Sequence, residues 1–423
     1  MALSSGPPPS GVSVIRISGP DASAVAVAFG ATDLPPRKAS LRTLYGPDDG
    51  EPIDRALCLF FPAPRSATGE DVVEFQCHGS PAVIDRVLSE AVAHSGVRAA
   101  EPGEFTLRSV LSGRMGLADA EALADLIDAR TEAERRRALR LSEGALTARL
   151  GDWKDRLVSA LALCEAHLDF TDEGDVPDGG PAVDDALEPL REEIAKTLLG
   201  SRDAEKLTDG FRIVLAGPPN AGKSSLINAV AGRAVALVSE EAGTTRDVVT
   251  VTVDLGGYRV ILADTAGVRD GASGIEALGI DRTLVELSGA DLIVEVQSPD
   301  TTPLSLRHRD IVVAHKADLG ASPEADHATS ISDTASIERF VRSLAARVAS
   351  GMSSSEAALV TRARQRSALS AIDDALGEAL STAHLELKAE ALRTACHAMG
   401  RLTGEIDVED ILDDVFGRFC IGK

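Results

Sequence analysis

The sequence predicts a multidomain chain that combines α/β and α+β folds: an α+β N-terminal domain, then a helical domain interrupted by an inserted α/β domain with a mostly parallel sheet. Three observations predict it. Up to about residue 112, short β-type runs alternate with Ala-rich helical stretches. Sequence rich in Ala, Leu, Glu and Arg, without proline, fills about 117–170, and helical patterning returns after Met352. Between these helical parts the apolar run Phe211–Ala216 feeds directly into Gly217-Pro-Pro-Asn-Ala-Gly-Lys-Ser-Ser225, which has the form GxxxxGKS.

Taken in order, the N-terminal strands are expected at Val12–Ser18, Ala56–Phe61 and Asp71–Gln76. Leu123, Leu126 and Ile127 recur at helical spacing, which predicts one long helix or a helix pair between Leu117 and Phe170. The acidic, Gly/Pro-rich stretch Thr171–Pro181 reads as a loop, and Ala182–Leu207 as a further helix. From Phe211 to about Ser350 strands and helices alternate, with a hairpin turned at Gly256-Gly257. The expected domain spans are therefore 1–113, 114–208, 209–350 and 351–423, the second and fourth being halves of one helical domain.

Composition narrows the class. The chain has 423 residues, 44% of them hydrophobic, enough for two or three domains each with its own core. No run reaches the roughly 18 apolar residues of a membrane span, and the start is Ser/Pro/Gly-rich without a basic or apolar stretch, so a cytoplasmic protein with no membrane segment is expected. The five cysteines, Cys58, Cys77, Cys164, Cys396 and Cys420, lack CxxC spacing, which argues against a disulfide framework or a zinc site. Cys77-His78, adjacent and not spaced for a metal, reads as structural. A net charge of −23 opposes broad attraction to a phosphate backbone. The one basic cluster, Arg135, Arg136, Arg137 and Arg140, is either a solvated helix face or a local RNA contact, and charge runs on helices are usually the former.

The phosphate-binding loop carries the chemistry. Gly217 and Gly222 allow a tight turn, and successive N–H groups ending at a helix N-terminus cradle anionic phosphates. The backbone of Asn220, Ala221 and Gly222 belongs to that cradle, as does Ser225 beyond it. Lys223 reaches the β- and γ-phosphates, and the Ser224 hydroxyl binds Mg²⁺. Asp264-Thr265-Ala266-Gly267 follows the β-type run Tyr258–Ala263 and offers a carboxylate to the metal shell and a Gly N–H to the γ-phosphate. Thr245, within Gly243-Thr-Thr-Arg-Asp247, supplies a hydroxyl to Mg²⁺ in the triphosphate state. His315-Lys316-Ala-Asp318 follows the strand Ile311–Ala314, and Asp318 can accept hydrogen bonds from both the ring N–H and the exocyclic amine of guanine. Adenine offers no such donor pair. A last base-facing loop is Ser330-Ile331-Ser332. DxxG or KxD alone carries little weight; in this order they point to a Ras-like GTPase domain.

The motifs resemble those of translation-factor-related GTPases with two departures: His315 stands where Asn or Thr is usual, and Ile331 where a small residue is usual. Beyond the GTPase motifs, Thr68-Gly-Glu-Asp-Val-Val-Glu-Phe-Gln-Cys-His-Gly79, Pro102-Gly-Glu-Phe-Thr106, Ala118–Ile127, Gly404-Glu-Ile and the ending Arg418-Phe-Cys-Ile-Gly-Lys423 are similar to the MnmE (TrmE) family of tRNA-modification GTPases. The similarity runs over nearly the whole chain. It implies a homodimeric, potassium-stimulated GTPase with an N-terminal folate-binding and dimerising domain. It implies an FAD-containing partner of the MnmG (GidA) type, in a heterotetramer or larger complex. The implied joint reaction places an aminomethyl-type (carboxymethylaminomethyl) group on C5 of the wobble uridine of certain tRNAs, using 5-formyl-tetrahydrofolate or a related folate.

Carried over residue by residue, the resemblance implies potassium ligands at Asn220, Ser239, Glu241 and Thr244. A monovalent cation there would supply the positive charge that other GTPases take from an arginine finger. Val268 follows the DxxG motif, so no Gln there orients the attacking water, and the resemblance gives that role to Glu276; without it Glu276 reads as a solvated acid at a helix start. Arg246 is a further implied functional residue of undefined role. Arg16, Glu74, Arg114 and Lys423 match folate-contacting positions: the cations suit the glutamate-tail carboxylates and Glu74 the amino edge of the pterin. On its own, Arg16 reads equally as an ordinary surface cation. Cys420 is implied as a functional thiol, either a nucleophile at uracil C6 or a packing residue, with only Arg418 and Lys423 nearby to lower its pKa. Two other readings compete with the enzyme: a non-catalytic, GTP-dependent assembly or ribosome-associated switch, and a folate-dependent transferase acting without the flavin partner.

Overall fold

The computed structural model describes residues 1–170, 180–236, 250–265, 289–302, 308–320, 324–406, 415–416, 419 and 421–422. By their contacts these residues separate into two compact units. One comprises Met1–Ala124, Leu141–Asp184 and Glu378–Lys423; the other comprises Asp125–Arg140 and Asp185–Gly377.

The first unit opens with a five-stranded sheet made of β1 (Ala2–Leu3), β2 (Ser10–Ser18), β3 (Ser40–Tyr45), β4 (Pro52–Phe61) and β5 (Val72–Gly79), ordered β1-β2-β5-β4-β3. Every pairing is antiparallel, and one face alternates buried residues with exposed ones: Ile15, Ile17, Phe75, Cys77, Ala56 and Cys58 point into the core. The helices α1 (Ala22–Ala28) and α2 (Pro81–Ala93) cover that face through Val25, Ala26, Ile84 and Val87. Burial pushes the thiol of Cys58 up to about 11 and that of Cys77 up to about 12, so both stay protonated and act as small apolar side chains. His78 is tied to Asp54 at 2.7 Å. Next come α3 (Glu104–Leu111) and α4 (Leu117–Asp128). Glu104 is buried, which alone would raise its pKa, yet hydrogen bonds from Arg98, the Glu101 N–H and Arg108 hold it at about 2. The chain end is stitched back here: Phe416 and Phe419 pack with Leu117 and Ala120.

Where one helix or a pair was expected over 117–170, the structure has three: α4, α5 (Glu132–Ser142) and α6 (Ala145–Phe170). The first break is a capping box, in which the Thr131 hydroxyl accepts from the Glu134 N–H at 3.3 Å and the Glu134 carboxylate accepts from the N–H groups of Arg130 and Thr131. The second break is at Gly144, whose φ of +91° ends α5.

The second unit holds α7 (Gly180–Asp209) from Asp185 onward and a seven-stranded sheet. Its strands are β6 (Phe211–Ala216), β7 (Val235–Ala236), β8 (Thr250–Leu255), β9 (Tyr258–Asp264), β10 (Leu292–Gln297), β11 (Ile311–His315) and β12 (His327–Thr329), ordered β12-β11-β10-β6-β9-β8-β7. The first five in that order are parallel; β8 and β7 add antiparallel. The central strands are buried along nearly their full length, as parallel strands covered on both faces must be. The helices α8 (Lys223–Ala231) and α9 (Thr334–Ala357) contribute Leu226, Ile227, Ile337, Phe340 and Leu344 to the core. The helices α10 (Ala363–Ser381) and α11 (Leu385–Thr403) follow. In the first unit α11 lies along α6, with Cys164 bonded to the Leu385 carbonyl and Lys154 to Glu405. The expected hairpin turn is present, with Gly256 at φ +68° and Gly257 at φ +89°, the backbone a two-residue turn of this hand requires.

The basic run does not form one surface. Arg135 and Arg136 pair with Glu132, whereas Arg137 is only 4% exposed. No helix among the described residues is long and apolar enough to cross a membrane.

Candidate functional site

The site begins where β6 ends. Its register sets Leu215 opposite Asp264 on the parallel neighbour β9, so the loop after β6 and the carboxylate ending β9 emerge side by side. The loop turns tightly, with Asn220 at φ +64° and Gly222 at φ +91°. A Cβ on Gly217 would stand 2.3 Å from the Val296 carbonyl of β10, and one on Gly222 would stand 2.4 Å from Cδ2 of His315. Close packing thus requires both glycines, and at Gly222 the left-handed backbone requires one as well. The first N–H groups of α8 follow at Lys223, Ser224 and Ser225, with Ala221 N–H bonded to the Pro218 carbonyl at 3.3 Å.

Lys223 is 4% exposed, and its ammonium donates to the carbonyls of Gly217 at 3.0 Å and Pro218 at 3.1 Å, across the loop itself. The Ser224 hydroxyl donates directly to the Asp264 carboxylate. These two groups come from different elements and were singled out by different motifs. They meet as a hydroxyl and a carboxylate must if both serve one hard cation with oxygen ligands. Thr265 is anchored by its hydroxyl to the Leu215 carbonyl at 3.1 Å.

The base-recognition candidates converge from β11 and β12. His315 is 1% exposed and hydrogen-bonds Thr329 through Nδ1 at 3.0 Å; burial first, and Lys316 next, lower its pKa, so the ring is neutral near pH 7. Lys316 adopts φ +58° and sends its ammonium to the Asn220 carbonyl at 2.8 Å and to Asp300 at 3.1 Å, linking this loop to the phosphate loop. Asp318 accepts from the Ser330 hydroxyl, which holds its carboxyl below the ordinary range. Ser330 and Ser332 share a hydroxyl contact of 2.8 Å. Ile331, between them, is 61% exposed, so its bulk points to solvent.

In the N-terminal sheet, Arg16 and Glu74 are cross-strand partners, joined at 2.8 Å, with the guanidinium also over the Phe105 ring. The cation of Arg16 is therefore committed to Glu74. Glu74 lines a cavity of about 350 Å³ together with Phe61, Val72, Ala67, Ser66, Arg37 and Arg65. Arg114 donates to the Pro64 carbonyl at the edge of the same loop. Sequence reasoning did not find Arg37, Arg65, Asp300 or Thr329. Their partners are set by strand register and loop closure, and no short spacing signals them. Ser239, Glu241, Thr244, Thr245, Arg246, Ala266, Gly267, Glu276, Cys420 and Lys423 lie outside the described residues.

Residues 1–114 match the family model for the GTP-binding protein TrmE N-terminus, and residues 117–420 that for the MnmE helical domain. The chain is 46% identical to the tRNA modification GTPase MnmE of Azorhizobium caulinodans, over 100% of this chain and 98% of that protein. It is also 46% identical to the MnmE of Methylobacterium radiotolerans, over 97% and 96% of the two chains. The MnmE of Chelativorans sp. is 46% identical over 100% and 97%.

Proposed function

Because the chain belongs to the MnmE (TrmE) family of tRNA modification GTPases, we propose that it hydrolyses GTP as one component of the cytoplasmic machinery that modifies the wobble uridine of tRNA. The contact between Ser224 and Asp264 carries the reading most directly, since it joins the phosphate-loop hydroxyl and the β9 carboxylate at one point. With GTP bound, Lys223 exchanges the Gly217 and Pro218 carbonyls for phosphate oxygens. Ser224 and Thr245 hold Mg²⁺, and bound Mg²⁺ supplies charge neutralisation on the transferred phosphoryl group. Asp318 exchanges the Ser330 hydroxyl for the two N–H donors of guanine.

In the same proposal Asn220, Ser239, Glu241 and Thr244 bind a potassium ion, Glu276 orients the attacking water, and Arg246 acts within the same loop as the potassium ligands. Glu74, Arg16, Arg114 and Lys423 hold a folate, with Arg16 acting by fixing Glu74. Cys420 acts on the uridine. The chain works as a homodimer with an FAD-containing partner of the MnmG type, on C5 of the base. Mass spectrometry of tRNA nucleosides from cells lacking the protein tests the proposal. The C5-substituted wobble uridine should vanish, return with the wild-type chain, and fail to return with Lys223→Ala. Full modification in the deleted cells would refute it.

A further inference from the structure

The loop after β4 gathers three guanidiniums that no carboxylate among the described residues answers. Arg37 donates to the Arg65 carbonyl and lies 5.7 Å from the Phe61 ring centroid, while Arg114 donates to the Pro64 carbonyl. Arg37 and Arg65 line the same cavity as Glu74. Among the described residues none of these three arginines pairs with an acid, whereas Arg16, Arg86, Arg98 and Arg108 of the same unit all do. Arg65 lies on the loop itself, Arg37 comes to it from before β3 and Arg114 from after α3, so three segments bring cations to one place in a chain of net charge −23. The backbone is committed to this arrangement: Arg37 sits at φ +59°, a region that side-chain-bearing residues disfavour, held there by its N–H bond to the Phe60 carbonyl at 2.8 Å.

The cavity is thus graded. Glu74 is an acceptor for an amino-substituted ring, Phe61 and Val72 form an apolar wall, and the exposed rim is cationic. Both contacts from Arg16 go to Oε1 of Glu74, so Arg16 steadies the acceptor and does not reach for an anionic tail. We propose that the rim of Arg37, Arg65 and Arg114 is a subsite for a tail of successive carboxylates, the γ-linked glutamyl chain of a polyglutamylated folate. The inference rests on the folate reading given above. Each added glutamate brings one carboxylate to guanidiniums that present paired donors in a plane. Because the rim is exposed, the contribution of each pair is modest and is screened by salt, so selectivity grows with tail length and fades at high ionic strength.

Calorimetry with monoglutamyl and pentaglutamyl 5-formyl-tetrahydrofolate on the full chain tests it. The pentaglutamyl form should bind about tenfold tighter at low salt, as three exposed pairs of ordinary strength would give. The ratio of the two affinities should fall to about twofold in Arg37→Ala/Arg65→Ala, where only the Arg114 pair is left, and be largely kept in Arg37→Lys/Arg65→Lys. Being a ratio, it is insensitive to a partly misfolded fraction. A wild-type ratio near one, or a ratio that survives the double alanine variant, overturns the subsite while leaving folate binding standing. Binding of neither form overturns the folate reading and the subsite with it.

Discussion

Gly222 and His315 meet at the centre of the nucleotide site, one from the phosphate loop and one from the end of β11. An alanine at 222 would carry both a left-handed φ of +91° and a Cβ 2.4 Å from the imidazole. The backbone term alone costs about 1–2 kcal/mol. Gly222→Ala is therefore expected to weaken guanine nucleotide affinity by about tenfold or more. Adding His315→Ala should recover the steric share and leave the backbone share, as titration calorimetry of both variants would reveal. Unchanged affinity in Gly222→Ala would contradict the packing described. At this scale the site was legible where its residues are contiguous: Gly217 to Ser225 announce themselves by spacing. The departure at His315 was visible too, but not its consequence. Thr329, which accepts or donates at Nδ1, is brought opposite by the β11–β12 register, and Asp300 reaches Lys316 across a loop.

The β8–β9 hairpin and the start of α5 form one joint. The Ala133 N–H donates to the Gly257 carbonyl at 3.0 Å, and Arg259 pairs with Glu134 at 2.8 Å while Glu134 also caps α5. One carboxylate therefore caps the start of α5 and, through Arg259, is tied to β9, the strand that ends in Asp264. Glu134→Ala removes the cap and the ion pair together and should destabilise this unit by about 2–4 kcal/mol. Arg259→Ala leaves Glu134 its two backbone donors and should cost about 1–3 kcal/mol. Urea unfolding midpoints measure both, and the joint is refuted if neither moves. The capping pattern Thr131-x-x-Glu134 was present in the sequence, yet the Ala-rich, proline-free composition predicted one long helix or a pair where there are three. Composition reports propensity, whereas the break is made by two side chains that outbid it locally. The hairpin, by contrast, was legible because Gly256-Gly257 takes both positive φ values without a side-chain penalty.

Across the whole chain, the same acidic balance that opposes contact with nucleic acid leaves few places for an anion. The candidate anion sites sit where the backbone or unpaired arginines make local exceptions: the N-terminus of α8 and the rim of the N-terminal cavity. The basic run on α5 is not such a place, because two of its members are paired and Arg137 is buried. The proposal therefore has tRNA engaged with a partner's help, since the basic run on α5 forms no single basic face. The class of each part, α+β, helical and parallel α/β, was readable from pattern periods. The division into two contact units was not, since it depends on which helices share a core. Everything proposed for the chain begins with a guanine nucleotide over Lys223 and Ser224, read by Asp318. Calorimetric titration of wild type and Asp318→Asn with GTP, XTP and ATP tests this most directly. Wild type should bind GTP and not ATP, and Asp318→Asn should move the preference to XTP, whose C2 carbonyl accepts the hydrogen bond that an amide donates. Equal binding of ATP and GTP by the wild-type chain, or a guanine preference unmoved in Asp318→Asn, would contradict the account.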